Sequence, residues 1–146
     1  MNPDDWTWVL GIPVLVPFAG AAFTLLLARA PAAQRVVSLV ALTIVLLDAV
    51  FIGFLSLRGP LILDVGGWAA PVGITLVADR LSALMLMVSV FVTLCVLVYS
   101  FTQDLAENQR LPIAVFQPTF LILSAGVSNA FLTGDLFNLY VGFEIL

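Results

Sequence analysis

The chain has 146 residues, of which 62% are hydrophobic and 10% charged, where a soluble domain has about half apolar and a quarter charged. That balance excludes a water-soluble globular fold. A net charge of -4, from nine acids and five arginines with neither lysine nor histidine, excludes a nucleic-acid role. Without histidine, and with Cys95 alone and read as a packing residue within a span, neither metal-ligand clusters nor Cys/His nucleophile pairs can be assembled. Nothing points to a cofactor.

The charges are bunched. Asp5 to Arg29, Arg80 to Asp104 and Arg110 to Asp135 each bracket more than twenty uncharged residues, and about twenty such residues cross a bilayer as a helix. The start, Met1 to Asp5, is acidic where a secretory signal needs a positive region, so the first span is read as a permanent helix. Span 1 covers about residues 6–28, with Trp6 and Trp8 at the level of an interfacial aromatic belt. Pro17 lies deep enough in it to kink the helix unless neighbours satisfy the freed carbonyl. Residues 29–35 make a short connection. Span 2 covers about residues 36–57 and carries Asp48 near its middle.

From Arg58 to Asp79 the breakers Gly59, Pro60, Gly66, Gly67 and Pro71 flank two β-prone stretches, Leu61 to Val65 and Ile74 to Val77, which predict a short β-hairpin or extended loop. Span 3 covers about residues 81–101, opened by Asp79 as helix cap with Arg80 as interfacial anchor and followed by a polar segment, Thr102 to Arg110. Asp64, Asp104, Glu107 and Arg110 read as solvated loop charges. Span 4 covers about residues 113–132. Pro118 predicts a bend there, and Ser124, Ala125, Gly126, Ser128, Asn129 and Ala130 suit close helix contact. Thr133-Gly134-Asp135 is a tight turn in which Asp135 caps the next helix, and Leu136 to Leu146 begins a fifth span of eleven residues. A spanning helix needs nearly twice that, so the chain is expected to be a piece of a longer protein. The fold class is all-α integral membrane: four transmembrane helices and the first half of a fifth. The acidic start places the N-terminus outside, although the arginines flanking the spans specify orientation weakly.

Two carboxylates fall inside spans. Glu144 is nine positions beyond Asp135, about 13.5 Å into a hydrocarbon layer roughly 30 Å thick. It lies opposite Asp135 around the helix and shares a face with Phe137, Tyr140 and Val141, so its surroundings are apolar apart from the tyrosine hydroxyl. A carboxyl there is poorly solvated, and a cation that moves or exchanges beside it switches its proton occupancy, which is the basis of a proton relay. The bland reading is a protonated carboxyl bonded to a neighbouring helix. The relay is preferred because intramembrane ionisable groups are functional by default. Asp48 divides evenly between a helix-contact hydrogen bond and an ion-path role. All five arginines lie at span ends or in loops, so a cationic partner for Glu144 has to come from elsewhere.

The run Phe131-Leu-Thr-Gly-Asp-Leu-Phe-Asn-Leu-Tyr-Val-Gly-Phe-Glu-Ile-Leu146 resembles the junction of the fourth and fifth helices in the D subunit of Mrp-type multisubunit sodium/proton antiporters. Ile12-Pro-Val-Leu-Val-Pro17 looks like the family's opening. Gly73-Ile-Thr-Leu-Val-Ala-Asp-Arg-Leu-Ser-Ala-Leu84 looks like the start of its third helix, a motif shared with membrane subunits of respiratory NADH:quinone oxidoreductase and membrane-bound hydrogenases.

The resemblance implies a subunit of about fourteen helices with two inverted five-helix units. Residues 1–101 would be the helices before the first unit, and residues 113–146 its beginning. It implies that Glu144 pairs with a lysine on a later helix and transfers protons. It also implies other antiporter subunits and membrane lipid as partners, H+ and Na+ or K+ as the ions, a bacterial plasma membrane location, and a transporter subunit, not an enzyme. Gly142 departs from the aromatic usual before the glutamate, so the local packing is expected to differ. Two further readings stay open: a proton-pumping subunit of a redox-driven complex, and a membrane scaffold in which Glu144 and Asp48 only make helix contacts.

Overall fold

The computed structural model describes residues 3–68, 73–107 and 113–145. A 3-10 helix over Pro3–Gly11 leads into α1 (Ile12–Leu26). Pro13, at the head of α1, has no N–H to give the Val9 carbonyl, so one rung of the ladder is missing where the 3-10 helix passes into α1. Pro17 removes a second rung, yet α1 runs on as one helix, its buried stripe of Pro13, Pro17, Gly20 and Ala21 packed on α2 and α4.

Helix α2 spans Pro31–Ser56. It begins about five residues before the expected start, because Pro31 occupies the first helical turn, where its missing N–H costs nothing and its fixed φ suits a helix. Arg35, expected in the connection, is therefore helical, and its guanidinium lies 5.6 Å from the centre of the Phe101 ring. The predicted hairpin forms: β1 (Leu61–Asp64) pairs antiparallel with β2 (Thr75–Ala78), Leu61 opposite Ala78 and Asp64 opposite Thr75. After β1 the chain turns through Gly66 and Gly67, whose φ values of 73° and 76° favour glycine.

Helix α3 runs Arg80–Glu107, several residues past the expected end, so Asp104 and Glu107 stand on helical backbone and not in a loop; Arg110 lies outside the described residues. Helix α4 is Ile113–Leu132, as predicted, and α5 is Leu136–Ile145. Among the described residues, four segments are long and apolar enough to cross a membrane: Trp6–Leu26, Pro31–Ser56, Arg80–Phe101 and Val115–Leu132.

The four long helices pack in two apolar layers. Val9, Leu10, Val45, Ile52, Leu86 and Leu132 belong to the layer under the hairpin, and Ala21, Ala41, Leu42, Leu97 and Leu121 to the layer at the other end. Small residues let the backbones close. A Cβ on Gly20 would stand 3.2 Å from both Ala41 Cβ and Leu121 Cδ1, so α1, α2 and α4 meet at this glycine. Helix α3 is the least covered, with Phe91, Val92, Val96 and Tyr99 exposed as a lipid-facing surface would be. Cys95, expected in the packing, is on that exposed face.

Candidate functional site

The hairpin and the start of α5 are one construction. Thr133 forms a bridge with Leu76, and the Gly134 N–H donates to the Thr75 carbonyl at 2.8 Å. Only glycine fits at 134, since a Cβ would come within 2.7 Å of Val77 Cγ2 and 3.0 Å of the Thr75 carbonyl oxygen. Asp135 caps α5: its Oδ1 accepts from the Asn138 N–H at 2.7 Å, and its Oδ2 accepts from the Thr75 N–H at 3.4 Å. The Thr75 hydroxyl donates to Asp64 Oδ1 at 2.9 Å, so Asp64 is a half-buried member of this network, not the solvated charge expected. The strand is visible in the sequence. Its docking on the turn before α5 is not.

Helix α5 then lies on α4 through a reciprocal amide pair. Asn129 Nδ2 donates to Asn138 Oδ1 at 3.1 Å, and Asn138 Nδ2 donates back to Asn129 Oδ1 at 3.2 Å, with both residues buried. One turn on, Gly142 is pressed against α4: a Cβ there would stand 3.0 Å from Asn129 Nδ2. The departure from an aromatic at 142 therefore lets the two backbones approach. Asn138 is not among the residues singled out from the sequence, although an amide inside an apolar helix must find a partner.

Glu144 is two residues beyond Gly142 and turns to the opposite side. It is exposed, beside exposed Phe137, Tyr140 and Phe143, and Tyr140, one turn earlier, is the polar side chain on its side of the helix. The poorly solvated setting expected for Glu144 is thus not supplied by α1 to α4, because α5 uses its other face to pack on them.

Asp48 sits on the inward face of α2, 8% exposed, and its Oδ2 has no hydrogen-bond partner among the described residues. The contact at Gly20, Ala41 and Leu121 fixes the heights of its neighbours. Asp48, Pro13 and Ser128 are each seven residues from that point toward the hairpin, about 10.5 Å along their helices. The Pro13 carbonyl lacks its helical donor because of Pro17, and Ser128 gives its hydroxyl to the Ser124 carbonyl at 2.8 Å. The side-chain amide of Gln117, fully buried near the head of α4, has neither its Nε2 nor its Oε1 bonded among the described residues. No contact among the described residues pairs Asp48 with Glu144. At the head of α3, the Ser82 N–H donates to Asp79 Oδ1 at 2.7 Å and holds that carboxyl below the usual carboxylate range.

No protein-family model matches the chain. It is 37% identical over 136 residues to the D subunit of the Na(+)/H(+) antiporter of Alkalihalophilus pseudofirmus and 34% identical over 136 residues to that of Bacillus subtilis. It is also 35% identical over 137 residues to the putative antiporter subunit mnhD2 of Staphylococcus epidermidis. Each alignment covers 92% of this chain and 27% of the relative, so the chain spans about a quarter of the length of these proteins. Among solved structures, the Mrp complex from Dietzia sp. DQ12-45-1b matches with a TM-score of 0.80 at 31% identity, over 95% of this chain and 25% of that one. An archaeal membrane-bound sulfane sulfur reductase, a respiratory membrane complex, matches with a TM-score of 0.84 at 26% identity, over 94% and 28%. The resemblance read from residues 131–146 thus extends along nearly the whole chain, which is a homologue of the D subunits of Na(+)/H(+) antiporters.

Proposed function

We propose that this chain is part of a membrane subunit of a multisubunit monovalent cation/proton antiporter, exchanging Na+ or K+ for H+, and that Glu144 is its proton relay. The observation that carries the reading is the direction of Glu144: a carboxyl inside an apolar helix, one turn after Tyr140, on the face of α5 that α4 does not cover. Other helices or subunits that close over this face would desolvate the carboxyl, and a cation among them would complete a proton-exchanging pair. With the N-terminus outside, as the acidic start suggests, the hairpin and the start of α5 also lie outside.

The test is Glu144→Gln in the full-length subunit within its complex. Proton-coupled sodium uptake into inverted vesicles should fall to background while assembly is kept, and uptake at the unsubstituted level would refute the relay. A second reading follows from the likeness to the sulfane sulfur reductase: a redox-driven proton pump of which this chain forms a membrane part. Proton translocation that requires an electron donor, with no response to a sodium gradient, would select it. Loss of assembly without loss of flux per assembled complex would select the scaffold.

A further inference from the structure

We propose that the groove between α2 and α3, at the hairpin end of the bundle, binds one phospholipid with an anionic headgroup, its phosphate on Arg80 and an acyl chain between the helices. The groove has a volume of about 400 Å³ and is lined by Val50, Gly53, Phe54, Ala83, Leu84 and Met87, with Ser56, Leu57 and Arg80 at its mouth. That size falls within the range of ligand sites, about 300–1,000 Å³. It runs from Arg80 to Met87 on α3 and from Leu57 to Val50 on α2, seven residues on each, or about 10.5 Å from the water boundary into the apolar layer. Its depth depends on Gly53, where a Cβ would meet Met87 Cε at 3.2 Å.

Charge distinguishes this groove from two others on the bundle. Those lined by Val16, Gly20, Phe23, Val36, Val40 and Ile44, and by Leu94, Cys95, Val98 and Tyr99, carry no charged residue. Here Arg80 gives one guanidinium N–H to the Leu57 carbonyl at 3.1 Å, which holds the group over the mouth and leaves it four further N–H donors to offer a ligand. Arg58, exposed beside Leu57, adds a second positive charge at the same level, while the neighbouring Asp79 carboxyl is turned to the Ser82 N–H. A planar guanidinium presents paired donors to a phosphate and is more weakly hydrated than an ammonium. The apolar walls of Phe54 and Leu84 are exposed beneath it. A lipid brings its phosphate to this level wherever it lies in the leaflet, and with Arg58 and Arg80 both beside the mouth a headgroup without an ammonium of its own is favoured over a zwitterionic one.

The experiment is native mass spectrometry of the full-length subunit transferred to detergent from nanodiscs of phosphatidylcholine containing a minor fraction of phosphatidylglycerol. One phosphatidylglycerol should be retained in preference to phosphatidylcholine. Arg80→Gln should lower that retention about tenfold, the loss of a charge-assisted hydrogen bond. Leu84→Trp, which fills the groove from its exposed wall and leaves Arg80 intact, should lower it similarly. Equal retention of the two lipids, or retention unchanged in either variant, would overturn the proposal; an effect of Arg80→Gln alone would mean surface attraction without a groove site. A photo-cross-linking side chain at position 54 that captures another protein instead of lipid would likewise overturn it.

Discussion

Replacing Asn129 with alanine removes three hydrogen bonds at once: its amide to Asn138 Oδ1 at 3.1 Å, its amide to the Asn138 carbonyl at 3.4 Å, and the bond it accepts from Asn138 Nδ2 at 3.2 Å. What remains is an Asn138 side chain, 4% exposed, with a donor and an acceptor that water reaches poorly. Leaving a buried polar group unpaired costs about 1–3 kcal/mol. Asn138→Ala strands Asn129 in the same way. Removing both takes away the stranded partner, so the double variant should be less destabilised than the sum of the singles. Interhelical bonds in a bilayer have coupling energies that average about 0.6 and reach about 1.7 kcal/mol, and a reciprocal pair belongs in the upper half of that range. The assay is reversible unfolding of the full-length subunit in mixed micelles, with all four members of the cycle measured. Additivity within about 0.3 kcal/mol would refute the pairing of α4 with α5 through these amides.

Asp48→Val removes a buried carboxyl whose Oδ2 has no partner among the described residues, so stability should be unchanged or raised; a loss above about 1 kcal/mol would mean that the carboxyl donates a hydrogen bond across the bundle. Asp79 titrates outside the spans and its folded pKa lies below the ordinary 3.8, chiefly through the Ser82 N–H. Its contribution to stability is therefore fully present above that ordinary value and is lost as pH falls through the lower folded one. Asp79→Asn should flatten the acid limb of the pH–stability curve, and an unchanged acid limb would exclude the cap as its source.

The spans are legible in the sequence because a bilayer admits few solutions: charge gaps of helix length mark α1, α3 and α4, and α2 stands out as an apolar run broken only by Asp48, almost without reference to tertiary packing. The hairpin is legible for a related reason, since Gly66, Gly67 and β-branched residues on either side have few other uses. The ends are less legible where a helix former or a proline overrides hydropathy. Pro31 starts α2 early, and the polar Thr102 to Glu107 stretch continues α3 because nothing in it breaks a helix. The docking of β2 on Gly134 and Asp135 depends on two segments about sixty residues apart, and no local pattern records it. The same holds for Asn129 and Asn138. Their need for a partner is visible, but which amide answers which is not.

The direction of Glu144 follows from what holds the rest of its helix. Asp135, Asn138 and Gly142 are spaced by three and then four residues, so they form one stripe, and each is fixed from outside α5: by Thr75, by Asn129 and by the α4 backbone. Three anchors on one stripe set the rotation of the helix about its axis. Nine residues after Asp135, at about 100° each, Glu144 comes half a turn away from that stripe. The carboxyl is thus turned outward by the packing needs of the residues before it, and Tyr140, one turn earlier, is turned with it. If Glu144 is a relay, the groups that complete its path must approach α5 from the side away from α4. A substitution that rotates α5, such as a bulky side chain at Gly142, would then misdirect the carboxyl without touching it.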